Sequence, residues 1–190
     1  MGEAKAYPES ILSGERYRIT MLTSRLIRLE YEPEGLFEDR PTRLVTNRRF
    51  PVPDFETAEK NGRLEVHTEH LSLIYDKKPF SPGGLSIRVK SRCKGIYSTW
   101  HYGDSLTENL GGTARTLDQA DGAVPLEPGL QSRLQGFGVL DDSRSIVLLE
   151  NGWFCERKGR GEDLYFFGYG YEYQKCLRDF FTLSGRTPLL

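Results

Sequence analysis

The fold class is decided by residues 63–90, RLEVHTEHLSLIYDKKPFSPGGLSIRVK. Apolar residues occupy every second position in three runs of this stretch, at Leu64–Val66, Leu71–Tyr75 and Leu85–Val89. Because successive side chains of a strand point to opposite faces, this period predicts half-buried strands rather than helices. The intervening Ser81-Pro82-Gly83-Gly84 is typical of a turn.

The same period of two extends to both sides of that stretch. Tyr17–Met21 and Ile27–Tyr31 alternate in the same way, and each predicts a half-buried strand. Asn151-Gly152 separates the apolar run Ser145–Leu149 from Trp153-Phe154-Cys155, which indicates a β-hairpin. Together with Leu164–Phe167 these runs suggest roughly ten short strands, the spacing of an antiparallel all-β sandwich or barrel.

One helix is predicted, near the end of the chain. Between residues 172 and 183 the apolar side chains recur at helical spacing and share one face, and Gly185 and Pro188 then end the helix. We expect three regions: an N-terminal extension (1–14), a β-sandwich domain (15–170) and a helix with a linker (171–190). The apolar Thr187–Leu190 reads as a boundary at which a longer chain was cut.

Composition excludes some classes of function. The 190 residues carry 26 Lys and Arg against 27 Asp and Glu, a net charge of -1 that lacks the basic excess of a nucleic-acid binder. No apolar run approaches the roughly 18 residues needed to cross a bilayer, and no secretory signal is evident, so we expect a cytoplasmic protein without a membrane partner. Cys93, Cys155 and Cys176 lack metal-ligand spacing and are expected to be reduced thiols. No metal and no cofactor are predicted.

Residues 109–137 do not fit a compact strand-and-turn pattern. They contain five glycines and two prolines, and a loop of this length within a compact domain is usually functional. They also hold Asp118, Asp121 and Glu127. These acids are compatible with a metal loop, with a carboxylate pair for glycosyl transfer, or with solvated side chains on a long connection.

Other groups of polar and aromatic residues are weaker candidates for a functional site. His67 and His70 are three apart, which on a strand sends them to opposite faces, away from a shared metal. His101 lies between Trp100 and Tyr102, either as part of a sugar-stacking platform or on an ordinary aromatic strand face. No G-x-S-x-G motif is present, so the residues alone supply no acid, base and nucleophile in one place.

Residues of the long loop and of the C-terminal region resemble a known protein family. The segments that carry it are Asn109–Asp118, Asp121-Gly122, Leu126–Leu130, Ser132-Arg133, Val139–Ser143, Asp163–Gly170 and Leu177–Leu190. Together they resemble the N-terminal domain of glycoside hydrolase family 31, which contains α-glucosidases and α-xylosidases. The resemblance implies a galactose-mutarotase-like β-sandwich that precedes a catalytic (β/α)₈ barrel absent from this sequence.

The resemblance also implies where the chemistry lies. Enzymes that hydrolyse α-glycosides with retention use two carboxylates about 5 Å apart, and both belong to the barrel. This chain therefore holds no catalytic residue and is expected to be inactive alone, while its long loop would form part of the wall of the sugar pocket. The residues expected to bind an α-linked glucoside or xyloside through the parent enzyme are Asp118, Asp121, Arg133 and Gln135.

The sequence departs from the family at one point. Ser-Arg is commonly followed there by Asp-Gly-Trp, whereas Ser132-Arg133 is followed by Leu134-Gln135-Gly136-Phe137. Either Gln135 replaces the hydrogen bonds of the missing carboxylate, or Asp118 or Asp121 does, or the loop has shifted register.

Two other functions remain open. A free-standing carbohydrate-binding β-sandwich would use Trp100, Tyr102 or Trp153 to stack on sugar rings. A mutarotase-like enzyme would need a catalytic His and Glu in a cleft, for which the three histidines already named are candidates. Whether the chain forms a homo-oligomer is not decided by the sequence.

Overall fold

The alternating segments fold into antiparallel strands in the computed structural model, which describes residues 4–90, 99–112, 121–125 and 127–185. A 3₁₀ turn at Pro8–Ser10 precedes the first strand, and one helix, α1, spans Tyr173–Ser184. The strands in chain order are β1 Ile11–Ser13, β2 Tyr17–Met21, β3 Leu26–Tyr31, β4 Phe55–Lys60, β5 Arg63–Thr68, β6 Leu71–Tyr75, β7 Leu85–Val89, β8 Thr99–His101, β9 Gly138–Asp141, β10 Val147–Leu148, β11 Phe154–Cys155 and β12 Glu162–Phe167.

Ten of these strands form two five-stranded sheets. The first has the order β1-β2-β3-β12-β9, and the second is the meander β4-β5-β6-β7-β8. The late strand β12 lies between β3 and β9, with Leu164 opposite Leu29 on one side and opposite Asp141 on the other. Strands β10 and β11 form a separate hairpin.

The main core lies between the inner faces of the two sheets. Ile19 and Leu29 of the first sheet pack in one cluster with Val66, Leu73 and Ile87 of the second. Burying an aliphatic side chain contributes about 1.5–3 kcal/mol, so this layer holds the sheets together. The predicted antiparallel β-sandwich is confirmed.

The outer face of the first sheet is also covered, which the alternating sequence did not predict. Helix α1 packs on one half of this face through Cys176 and Leu183, and Val45 and Phe50 from the segment between β3 and β4 join them. Phe180 packs against the same cluster, whereas Phe181 remains exposed. Burial raises the pKa of the Cys176 thiol to about 11, so this thiol is protonated at neutral pH.

The other half of that face is a buried network of ion pairs. Arg28 donates from Nε and Nη2 to the two Asp163 carboxylate oxygens at 2.8 and 2.7 Å, and its Nη2 lies 3.0 Å from Glu30 Oε1. Arg18 donates to both oxygens of Glu30, and Arg157 Nη2 lies 2.9 Å from Asp163 Oδ2. The charges on β2 and β3 therefore face other charges rather than solvent.

The network shifts the pKa values of its carboxyl groups in opposite directions. Burial raises the pKa of Glu30. At Asp163 burial also acts to raise the pKa, but the charge and hydrogen bonds of Arg28 outweigh it and hold the pKa well below its ordinary value. Asp163 is therefore a carboxylate throughout the physiological range.

Among the described residues, no helix has the length and apolar character needed to cross a bilayer.

Candidate functional site

The connection between β8 and β9 has a well-defined base. Leu110 N donates to Gln131 O at 3.0 Å and Arg133 N donates to Glu108 O at 2.8 Å, so the two limbs run antiparallel. Further out, Gly112 and Glu127 exchange two backbone hydrogen bonds of 2.9 Å. The glycine-rich segment is therefore held as an irregular double strand over its described part.

Asn109 ties the two limbs of this loop together. Its Oδ1 accepts hydrogen bonds from Gly111 N at 2.8 Å and from Gly129 N at 2.7 Å, and its Nδ2 donates to Gly129 O at 2.8 Å. A Cβ at Gly129 would lie 2.3 Å from Gly111 O, so the limbs come together at a distance that only glycine allows there.

The second limb also contacts helix α1 and the chain that leads into it. Gln131 Nε2 donates to Tyr173 O at 3.1 Å, and Gly170 N donates to Gly136 O at 2.8 Å. Phe137, at the end of the limb, is buried and stacks on Phe166 with the ring centroids 5.6 Å apart. The loop base is thus anchored in the sandwich core and at the start of the helix.

The four predicted sugar-binding residues differ in exposure and in hydrogen bonding. Asp118 lies outside the described residues. Asp121 and Arg133 have exposed side chains, and neither forms an ion pair with another described residue. Gln135 is half-buried: its Oε1 accepts from Thr107 N at 2.8 Å and its Nε2 donates to Ser105 O at 3.4 Å. Arg133 can thus meet an outside ligand, whereas the Gln135 amide already holds the loop.

The three aromatic candidates for sugar stacking differ in their exposure to solvent. Trp100 is only 2% exposed and packs on Phe166 in the core, so its faces are not available to a sugar. Tyr102 is half-buried, and its hydroxyl donates to Glu162, which raises the pKa of Tyr102 to about 12. Trp153, by contrast, is 72% exposed. It is the member of the three that presents a ring to solvent.

A cleft that the sequence did not predict opens beside the N-terminal end of α1. It has a volume of about 330 Å³, near the lower end of the range for ligand pockets. Four separate parts of the chain line it, and it does not include Asp121, Arg133 or Gln135. Its acidic and basic side chains are Arg25, Glu69, His70, Lys90, Glu172 and Lys175.

The charges in this cleft largely satisfy one another. Glu172 Oε1 lies 2.5 Å from Arg25 Nη2, and Lys175 pairs with the same carboxylate. His70 Nδ1 is 2.9 Å from Ser24 Oγ, and burial together with the charge of Arg25 lowers the pKa of His70. Such a set can hold a small polar ligand, although Arg25, Glu172 and Lys175 already pair with one another.

Metal ligands do not converge in the described residues. Within residues 4–90, 99–112, 121–125 and 127–185, no group of three His, Cys, Asp or Glu side chains could hold a metal ion. The described carboxylates of the buried network are paired with arginines instead.

Comparison with known proteins identifies the fold. No protein-family model and no curated protein sequence matches the chain. Two solved structures of a glycoside hydrolase family 31 dextranase from Flavobacterium johnsoniae do match it. A mutant complexed with isomaltotriose gives a TM-score of 0.53 at 14% identity, and the enzyme complexed with glucose gives 0.52 at 12% identity.

The coverage of these matches is uneven. Each alignment covers 99% of this chain but 29% of the dextranase, so the chain spans less than a third of that protein's length. The resemblance to family 31 expected from the sequence is thereby confirmed for the fold. The described part of this chain is a mostly antiparallel β domain with one short C-terminal helix.

Proposed function

We propose that the chain is the N-terminal β-sandwich module of a retaining α-glycosidase of glycoside hydrolase family 31, an α-glucosidase or α-xylosidase of cytoplasmic carbohydrate metabolism. In this proposal the module supports the catalytic barrel and supplies residues 109–137 to the wall of the sugar pocket. The observation that carries the proposal is the match of 99% of this chain to 29% of a family 31 dextranase.

The loop has the construction that this role needs. A residue that orients a sugar hydroxyl must itself be held in place, and the Asn109 hydrogen bonds and the buried Phe137 fix the loop base. Arg133 is exposed on an ordered limb, where it can donate to hydroxyl oxygens, and exposed Asp121 can accept from them.

The described residues also fit a non-catalytic role. A retaining hydrolase needs a nucleophilic carboxylate and an acid/base carboxylate facing one open site. Glu30, Asp142 and Asp163 are buried and engaged with arginines, so a glycoside cannot reach them. We therefore expect bond cleavage to require the parent protein.

The experiment compares the 190-residue chain with the protein encoded by its native reading frame. We expect the parent to contain a barrel and to hydrolyse aryl α-glucosides or α-xylosides, with the α-anomer as the first product in NMR spectra. The 190-residue chain should show no turnover above a mock-purified control. A reading frame without a barrel, or turnover by the chain alone, would contradict the proposal.

A free-standing carbohydrate-binding module is the second candidate, and exposed Trp153 favours it. An indole ring can stack on the apolar face of a sugar. Titration of the 190-residue chain with maltose, isomaltose and isoprimeverose, followed by tryptophan fluorescence, tests this function. Binding that Trp153→Ala abolishes and Lys158→Ala preserves would support it.

A further inference from the structure

The hairpin β10–β11 presents large apolar side chains to solvent. Trp153 is 72% exposed and its neighbour Phe154 is 56% exposed, while Phe154 pairs with Leu148 across the hairpin. Exposed aromatic residues grouped in this way mark interaction surfaces more often than isolated ones do.

The hairpin holds Trp153 in a fixed position. Leu149 N donates to Trp153 O at 2.8 Å, and Trp153 N donates to Asn151 Oδ1 at 3.1 Å. Gly152 closes the turn with a φ of +83°, a conformation that suits glycine. The backbone that carries the exposed indole is therefore ordered by its own hydrogen bonds.

An open groove adjoins this hairpin. Its volume is about 1060 Å³, and Leu148 and Leu149 belong both to the groove lining and to the hairpin region. Pro41 and Thr46 also line it, and so do charged side chains of both signs, Lys5, Asp39, Arg40 and Glu150. A surface that combines apolar side chains with charges of both signs is compatible with a protein interface.

The chain leaves α1 beside this groove. Thr46 N and Asn47 N both donate to Leu183 O at 3.0 Å, in the last turn of the helix. A Cβ built on Gly185, the residue after the helix, would lie 3.2 Å from Thr46 Oγ1. Because Thr46 lines the groove, Gly185 lies at the groove edge.

We propose that the groove together with the Trp153–Phe154 hairpin, here called the docking surface, is where the catalytic barrel of the parent glycosidase packs against this module. The identity of the occupant rests on the proposed function, whereas the location rests on the surface itself. A domain joined to the chain at the groove edge meets this surface at a high effective concentration, which favours it over a separate partner.

The exposed area fits an interdomain contact. With aromatic side chains presenting about 150–250 Å² each, the exposed parts of Trp153 and Phe154 amount to roughly 300 Å². Interdomain interfaces cover about 600–1,500 Å², so the two rings would supply part of the contact and the groove the remainder.

Hydroxyl-radical footprinting with peptide-level mass spectrometry tests the location. The oxidation rates of Trp153 and Phe154 are compared between the 190-residue chain and the parent, each relative to Tyr171, which is exposed at the opposite end of α1. We expect both relative rates to fall at least fivefold in the parent. A barrel-containing parent in which Trp153 reacts as fast as in the chain would overturn the docking surface and leave the proposed function intact.

The other occupants give different results. Protection of Trp153 that appears in the 190-residue chain as its concentration rises would assign the surface to a second copy and overturn the proposal. Protection on adding maltose or isomaltose would assign it to a sugar and also overturn it. A parent without a barrel would refute both this inference and the proposed function.

A stability comparison supplies a second readout. Because Trp153 is exposed in the chain, Trp153→Ala should leave the midpoint of thermal unfolding of the 190-residue chain nearly unchanged. In the parent the same change should lower it by at least about 2 °C. Tyr171→Ala is the matched control and should act equally in both; equal effects of Trp153→Ala in both would overturn the docking surface.

Discussion

Removing Arg28 from the buried network should destabilise the chain more than removing any exposed strand arginine. Arg28 and Asp163 are each 2% exposed, and the guanidinium makes two hydrogen bonds to that carboxylate and one to Glu38 O at 2.7 Å. In Arg28→Met the aliphatic volume is largely kept, so the main cost is a buried carboxylate that loses its principal partner.

The magnitude follows from what the network retains. Breaking a buried ion pair by removing one partner typically costs about 3–5 kcal/mol. Asp163 would keep Arg157 at 2.9 Å, and Glu30 would keep both hydrogen bonds from Arg18. We therefore expect the lower end, about 3 kcal/mol of the free energy of unfolding.

Urea unfolding of the 190-residue chain, followed by circular dichroism at pH 7, measures this loss. With a slope of about 1–3 kcal/mol per molar urea, a loss of 3 kcal/mol lowers the midpoint by about 1–3 M. Arg88→Met, on the exposed face of β7, is the matched control and should cost no more than about 0.5 kcal/mol.

A double variant separates lost charge pairing from lost packing. In Arg28→Met with Asp163→Leu no unpaired carboxylate is left at this position, and replacing a buried pair by apolar residues is often neutral. We expect the double variant to recover much of the stability lost in Arg28→Met. Midpoints for Arg28→Met and Arg88→Met that agree within error would refute the reasoning.

Three further predictions concern pH, the loop and substrate binding. Because the pKa of Asp163 is lowered on folding, its stabilisation is complete above its unfolded pKa of about 3.9 and is lost as pH falls through the lower folded value; acid titration of the wild type should show a loss below pH 4 that is smaller in Asp163→Asn. Asn109→Ala removes three hydrogen bonds and should speed amide exchange in the limbs of the loop, with a local cost of about 2–3 kcal/mol, while exchange in β6 stays unchanged. In the parent enzyme, Arg133→Ala should lower kcat/KM by a factor that corresponds to about 1–3 kcal/mol. Gln135→Ala should lower kcat/KM by loosening the loop, seen as faster amide exchange there, and Lys158→Ala should change neither kcat/KM nor exchange. Equal kcat/KM in all three variants would remove the loop from the substrate site.

The three central strands of the second sheet, β5 to β7, could be predicted from the sequence. Leu71–Tyr75 and Leu85–Val89 appear with the predicted bounds, because one face of these strands packs on the core and the other faces outward. The Asn151-Gly152 turn joins β10 and β11 as expected. The helix begins and ends within one residue of the predicted range, since its apolar spacing and Gly185 are local signals.

In the first sheet, the alternating pattern did not predict that polar side chains on the outer face are buried. Arg18, Arg28 and Glu30 read as the solvent side of half-buried strands, yet all three are buried. Their main partners include Asp163, which is 135 residues from Arg28, and no local pattern predicts that such distant charges meet. For the same reason the sequence carried no signal for the cleft beside α1, which is assembled from four separated parts of the chain.

The position of β12 sets the order in which the molecule can be completed during synthesis. The second sheet is a meander of consecutive strands and can assemble as soon as β8 has left the ribosome, but β3 must wait for a partner that follows it by roughly 130 residues. At translation rates of about 5–20 residues per second, this delay is roughly 6 to 26 seconds. Throughout it β3 carries an unpaired edge and an outer face that α1 does not yet cover, so nascent chains that lack β12 should be the main clients of chaperones and the main source of aggregation for this protein.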